Sequence, residues 1–127
     1  MNQRSGGTDD LGALAPWAQE LAKTFVSLSS DIALVLDDAG VITSVAQAGK
    51  EPISPAAAQW IGRPWVDTVS DGTRRKVEAL MQDVTSTGLA RRREVNHPGA
   101  GGADIPVAYT AIRLGRNGPV IAVGRDM

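Results

Sequence analysis

Cysteine is missing from all 127 residues. Its absence excludes disulfides, thiolate nucleophiles, zinc–thiolate sites and cysteinyl-flavin chemistry, and it fits a reducing compartment. Histidine occurs once, as His97. A metal site needs several ligands and a general base needs a partner, yet no His-x-x-His pair or Asp-rich cation loop accompanies it. No apolar run approaches the roughly 18 residues of a membrane span. The polar start, Met1–Asp10, carries no signal-peptide core, so the chain reads as cytoplasmic, with no membrane partner. Charge of one sign is lacking too. Thirteen Lys and Arg against fourteen Asp and Glu leave a net charge of −1, which gives no general pull toward nucleic acid or an anionic surface.

Enzymatic apparatus is equally scarce. There is no Gly-x-Ser-x-Gly elbow. The run Pro98-Gly99-Ala100-Gly101-Gly102 lacks the Gly-Lys-Ser/Thr of a phosphate loop and leads into a strand rather than a helix. The carboxylates are scattered, and Asp37-Asp38 sit where a turn favours aspartate. No catalytic, cofactor-binding or metal residue is expected, and the chain reads as no enzyme.

What is present is a globular composition, 43% hydrophobic and 21% charged, in a length suited to one domain. A Gly-, Ser- and Asp-rich start predicts a disordered leader over residues 1–12. An amphipathic helix follows over 13–29. In it Leu14, Trp17, Leu21, Phe25 and Leu28 recur at helical spacing, and Pro16 suits the first turn. The remaining residues, 30–127, form the domain proper.

Ile32–Leu36 and Val41–Ala46 flank Asp37-Asp38-Ala39-Gly40 and predict a hairpin. Pro52, Pro55 and Pro64 break the next stretch into short pieces. Among them are a short helix begun by Ser54-Pro55 as cap and first turn, running toward Trp60, and a turn or helix at Pro64–Val69. Thr73–Ser86 is the longer helix, with Val77, Leu80, Met81 and Val84 on one face and Gly88 as the stop. Strands at Leu89–Asn96, Ile105–Leu114 and Val120–Gly124 follow. They are joined by a loop at His97–Ala103 and a turn with the Asn117-Gly118 hairpin signal. The order predicts an α+β fold, with a five-stranded antiparallel sheet and the central helices on one face.

The strands are apolar on both faces. Ile105, Val107, Tyr109 and Ala111 oppose Ala108, Thr110, Ile112 and Leu114, while Val120 and Ala122 oppose Ile121 and Val123. The central helices can cover one face only, so the amino-terminal helix must cover the other, on its own chain or on a second copy. One helix is narrow beside five strands, and the expectation is a homodimer or higher oligomer using Leu14, Trp17, Leu21, Phe25 and Leu28. His97 reads as a hydrogen bonder anchoring its loop. Arg74-Arg75-Lys76 and Arg91-Arg92-Arg93 read as solvated charge. Since successive strand residues alternate, at least one arginine of the second cluster must reach the covered face or pass the sheet edge.

The words Asp31-Ile32-Ala33-Leu34-Val35-Leu36-Asp37-Asp38-Ala39-Gly40-Val41-Ile42 and Trp60-Ile61-Gly62-Arg63-Pro64-Trp65-Val66-Asp67-Thr68-Val69 resemble the opening hairpin and helix entry of PAS domains. Val95-Asn96-His97-Pro98, Gly102–Tyr109 and Val123-Gly124-Arg125-Asp126 are similar to the amino-terminal PAS domain of PpsR/CrtJ-type transcriptional repressors of photosynthesis genes in purple bacteria. The resemblance implies a PAS fold within a fragment of a longer DNA-binding regulator. It further implies an oligomerisation and signal-sensing role, an antirepressor protein as a partner, and DNA contact left to another domain. The alternative it carries is a PAS sensor holding a small ligand, flavin or haem non-covalently. The longer helix offers no histidine to a haem, and no cofactor is expected.

Overall fold

The computed structural model describes residues 11–28, 30–48, 53–99 and 102–127. Most of the expected leader, residues 1–10, therefore lies outside the described residues.

Five strands form one antiparallel sheet: β1 (Ile32–Leu36), β2 (Ile42–Gln47), β3 (Leu89–Pro98), β4 (Asp104–Arg113) and β5 (Val120–Asp126), in the order β2-β1-β5-β4-β3. The carboxyl-terminal strand thus sits in the middle, with Leu34 facing Val45 on one side and Ala122 on the other. β1 is buried along its whole length, which explains why Ile32–Leu36 reads as an unbroken apolar run. The predicted hairpin turn holds because the Asp37 carboxylate accepts the amides of Ala39 and Val41, at 2.9 and 3.0 Å.

One layer packs on each face. The inner face carries Ile32, Leu34, Leu36, Val107, Tyr109, Ala111 and Ala122. It meets Val77, Leu80 and Val84 of α2 (Arg74–Thr87) and three short 3₁₀ turns at Ala57–Trp60, Trp65–Thr68 and Asp71–Thr73. The outer face carries Ala33, Val35, Leu114 and Ile121, and it meets Ala18 and Ala22 of α1 (Ala18–Leu28). Leu21, Phe25 and Val26 pack half-buried beside them. Over β1, β2 and β5 the second apolar face is thereby covered within the same chain.

Two local expectations need correction. Ser54 caps nothing with its hydroxyl; its amide instead takes the Gln47 side chain at 3.1 Å, and the 3₁₀ turn begins at Ala57 without a side-chain cap. The strand expected to stop at Asn96 runs on through Pro98, so His97 belongs to β3 and not to the loop. Val95 and His97 point inward at the two-residue period of a strand, and that period carries the imidazole into the core.

Candidate functional site

The inner face holds a closed aromatic cluster. His97 of β3 and Tyr109 of β4 point into the same inner face, offset along the ladder, where their cross-strand partners are Ile105 and Arg93, and both are fully buried. The imidazole Nδ1 lies 2.7 Å from the carbonyl oxygen of Thr68, and Nε2 lies 2.8 Å from the Tyr109 hydroxyl. A carbonyl only accepts, so Nδ1 carries the proton and donates, and Tyr109 donates to the bare Nε2. The ring is a neutral, single tautomer. Burial pushes its pKa down from 6.5 to about 4, against a smaller upward pull from the Thr68 carbonyl. Burial pushes the Tyr109 hydroxyl upward. Trp60 stacks on His97 at 4.3 Å between centroids, and Trp65 meets Tyr109 edge-on at 5.1 Å.

This cluster ties the Trp65–Thr68 turn to the sheet and fills the space between sheet and helices with side chains. His97 is thus a hydrogen bonder, as expected, but a core one. Sequence reasoning missed its partners because Thr68 and Tyr109 lie 29 and 12 residues away along the chain. Two buried polar atoms, Trp65 Nε1 and Ser70 Oγ, have no hydrogen-bond partner among the described residues. Each costs about 1–3 kcal/mol. At the rim, the β1–β2 turn and α2 leave a cleft of about 260 Å³ lined by Gly40, Pro64, Trp65, Val77 and Met81. No group of three or more His, Cys, Asp or Glu side chains placed to hold a metal ion occurs among the described residues.

The outer face is different. Five strands span roughly 20 Å and a helix about 10 Å, so α1 cannot cover the whole sheet. It lies over β1, β2 and β5, and its cluster takes in Ile112 near the end of β4 and Leu114 just past it. Beside it runs a groove of about 530 Å³. Ala108, Thr110 and Val123 line it together with Arg92, Arg125, Asp126 and Met127, so both signs of charge border it. The expected helical stripe runs from Leu14 through a 3₁₀ turn at Ala15–Trp17 into α1, and it divides accordingly. Leu21 and Phe25 sit half-buried against their own sheet. Leu14, Trp17 and Leu28 are 38%, 59% and 75% exposed. Strands apolar on both faces announced an outer face needing cover; which half of it stays open depends on where the helix lies.

The arginine triplet straddles both faces through a β-bulge between Ala90 and Arg93. Arg93 turns to the helix side, 3.6 Å from Asp83 of α2, and Arg92 turns to the groove. No helix among the described residues is long and apolar enough to cross a membrane.

Residues 26–127 match the family model described as the PAS fold. The chain is 30% identical over 115 residues to protein CrtJ of Rhodobacter capsulatus; the match takes in 91% of this chain but spans only 24% of that protein. Among solved structures, a PAS domain from Colwellia psychrerythraea superposes with a TM-score of 0.65 at 16% identity, covering 85% of this chain and 95% of that one. Cycle PAS-B of Drosophila melanogaster, with bound ethylene glycol, gives 0.60 at 9% identity over 76% of this chain and 99% of that one. The PAS domain of a LuxR-family transcriptional regulator from Burkholderia thailandensis, in complex with ethanol, gives 0.55 at 20% identity over 83% and 96%. With its strand order, its helical layer on one face and the family model spanning all but the amino-terminal segment, the chain belongs to the PAS fold family.

Proposed function

We propose that this PAS domain serves a CrtJ-like transcriptional repressor of photosystem genes as an oligomerisation and protein-interaction module. α1 and the outer sheet face make the contact. The likeness to CrtJ supports the regulatory part of this reading. The observation that carries the assembly part is the outer face itself, where one helix covers part of an apolar sheet and leaves Trp17 and Leu28 in solvent. Exposed apolar area of this kind marks an association surface. Leu14, Trp17, Leu21, Phe25 and Leu28 are the contact residues in this reading, with a second copy as the first partner and an antirepressor protein as a further one. A net charge of −1 leaves DNA contact to another part of a longer regulator.

Light-scattering mass of the purified chain over a concentration series, read with its visible spectrum, tests the proposal. A colourless species whose mass rises to twice the monomer supports it. A monomer carrying a stoichiometric chromophore overturns it in favour of a ligand sensor. Against that second reading, the space between sheet and helices is taken up by Trp60, Trp65, His97 and Tyr109.

A further inference from the structure

The cleft of about 260 Å³ at the rim of the helical layer is bordered by the β1–β2 turn, the Trp65–Thr68 turn and α2. It lies outside the space that Trp60, His97 and Tyr109 fill, since none of those three lines it. Of the aromatic cluster only Trp65 takes part in both, meeting Tyr109 edge-on and lining the cleft. The backbone of Trp65 is fully engaged. Its amide donates to the Gly40 carbonyl at 2.9 Å, and its carbonyl accepts the Thr68 hydroxyl at 2.7 Å. Its indole Nε1 is buried and has no partner among the described residues. A buried donor without an acceptor is uncommon in a folded protein. Within the aromatic cluster the two acceptors are already bonded, the Thr68 carbonyl by His97 and His97 Nε2 by Tyr109. The cleft is the side from which an acceptor can enter.

We infer that this cleft binds small apolar amines that carry a carbonyl oxygen, the oxygen accepting from Trp65 Nε1 and the ammonium meeting Glu78. The site is separate from the assembly surface and does not depend on it. Size, lining and charge select the ligand. The volume falls below the roughly 300–1,000 Å³ of a drug-sized pocket, so the ligand is a fragment-sized molecule. Pro64, Val66, Val77 and Met81 give it apolar walls. Met81 is half-buried, and its Cε is the nearest atom to a Cβ placed on Gly40, at 3.7 Å. An unbranched thioether at that mouth adapts its width to the body of the ligand. Glu78 is the one charged residue that lines the cleft; it is exposed and makes no ion pair among the described residues. The two cations one turn earlier on α2 do not contact it. Arg74 donates to the Asp67 carboxylate and to the Val66 carbonyl, both at 3.1 Å, and Arg75 makes no ion pair among the described residues. A carboxylate alone at the mouth repels anions and favours a cation.

The probe for the test is L-leucinamide, which joins an isobutyl group, a carboxamide oxygen and, near neutral pH, an ammonium. N-acetyl-L-leucinamide keeps the first two and loses the charge. Each is titrated into the whole ¹⁵N-labelled chain while the indole N–H resonances of its 3 tryptophans are followed. Trp65→Phe assigns its resonance by removing it. Leucinamide should move the Trp65 resonance saturably, with a dissociation constant on the order of 1 mM as a fragment gives, and leave that of exposed Trp17 in place. The acetylated probe should bind about two- to fivefold more weakly. Glu78→Gln, a change at an exposed position that the fold tolerates, should weaken leucinamide by the same factor and leave the acetylated probe unaffected. A Trp65 resonance that leucinamide does not move saturably overturns the site. Equal affinities for the two probes, unaltered by Glu78→Gln, overturn it as well. Neither result bears on the light-scattering mass, which tests assembly alone.

Discussion

At the scale of single residues, two glycines are constrained for opposite reasons, and their substitutions separate the causes. Gly88 closes α2 at φ +85°, its amide bonded to the Val84 carbonyl, and an added Cβ would meet nothing within 4 Å. Gly88→Ala should therefore cost about 1–2 kcal/mol, from the left-handed backbone alone. Gly124 has room for no side chain. A Cβ there would stand 2.7 Å from Tyr109 Cε1 and Val107 Cγ1 and 2.9 Å from Ile32 Cγ2. Gly124→Ala should cost about 1–3 kcal/mol by overpacking. Urea unfolding of both variants checks the pair, and Gly124→Ala alone should also perturb the near-ultraviolet signal of Tyr109. His97→Leu leaves the Tyr109 hydroxyl and the Thr68 carbonyl without partners, at about 1–3 kcal/mol for each. The same histidine predicts acid sensitivity. Its pKa is lowered to about 4 in the fold against 6.5 when unfolded, so between those values the unfolded chain binds the extra proton. Its contribution is whole above pH 6.5 and fades as pH falls toward 4. The total is roughly 3 kcal/mol, and His97→Leu should flatten that part of a stability–pH profile. None of this was legible from the lone histidine in the sequence. Its strand membership, and hence its inward direction, hung on two residues at a strand end where the following Gly-rich run resembles a loop.

At the scale of elements, α1 is the piece whose two roles can be separated. Phe25 packs half-buried on the outer sheet face while Trp17 projects into solvent. Phe25→Ala should cost about 2 kcal/mol, near half of a full core truncation, and should raise amide exchange across Ala18–Leu28 ahead of the rest of the molecule. Trp17→Ala should leave monomer stability within about 0.5 kcal/mol. Hydrogen exchange on both variants, with denaturant unfolding, distinguishes a helix held by its own sheet from one that docks only across an interface. The helix itself was plain in the sequence, since Trp17, Leu21, Phe25 and Leu28 repeat at spacings of four, four and three. The sorting of that stripe into a covered middle and exposed ends was not, because periodicity states a direction and not what waits there. The β-bulge that sends Arg92 and Arg93 to different faces had only an indirect sign, a triplet of charges in a strand that could not all be accommodated on one side.

At the scale of the whole molecule, the charges bordering the groove make the proposed assembly testable by ionic strength. If Arg92 and Arg125 meet acidic groups of a partner, raising salt from 0.05 to about 0.5 M should weaken the association, since screening shortens the reach of exposed pairs to a few ångström. Mass measured at both salts checks this, and an apolar contact without ion pairs would strengthen instead. By itself the sequence determined the α+β class, the two-faced sheet, the face of α2 and the amphipathic α1. All of these follow from periodicities of 2 and 3.6 residues that any local stretch displays. The tertiary structure alone decided three things. β5 lies between β1 and β4, so that the last segment of the chain completes the core. His97, Thr68 and Tyr109 meet in one buried relay. The width of five strands exceeds that of one helix on the side of β3 and β4, and there the groove remains. Each depends on contacts between residues far apart in the chain, whose meeting is set by strand order and packing geometry and leaves no local pattern to read.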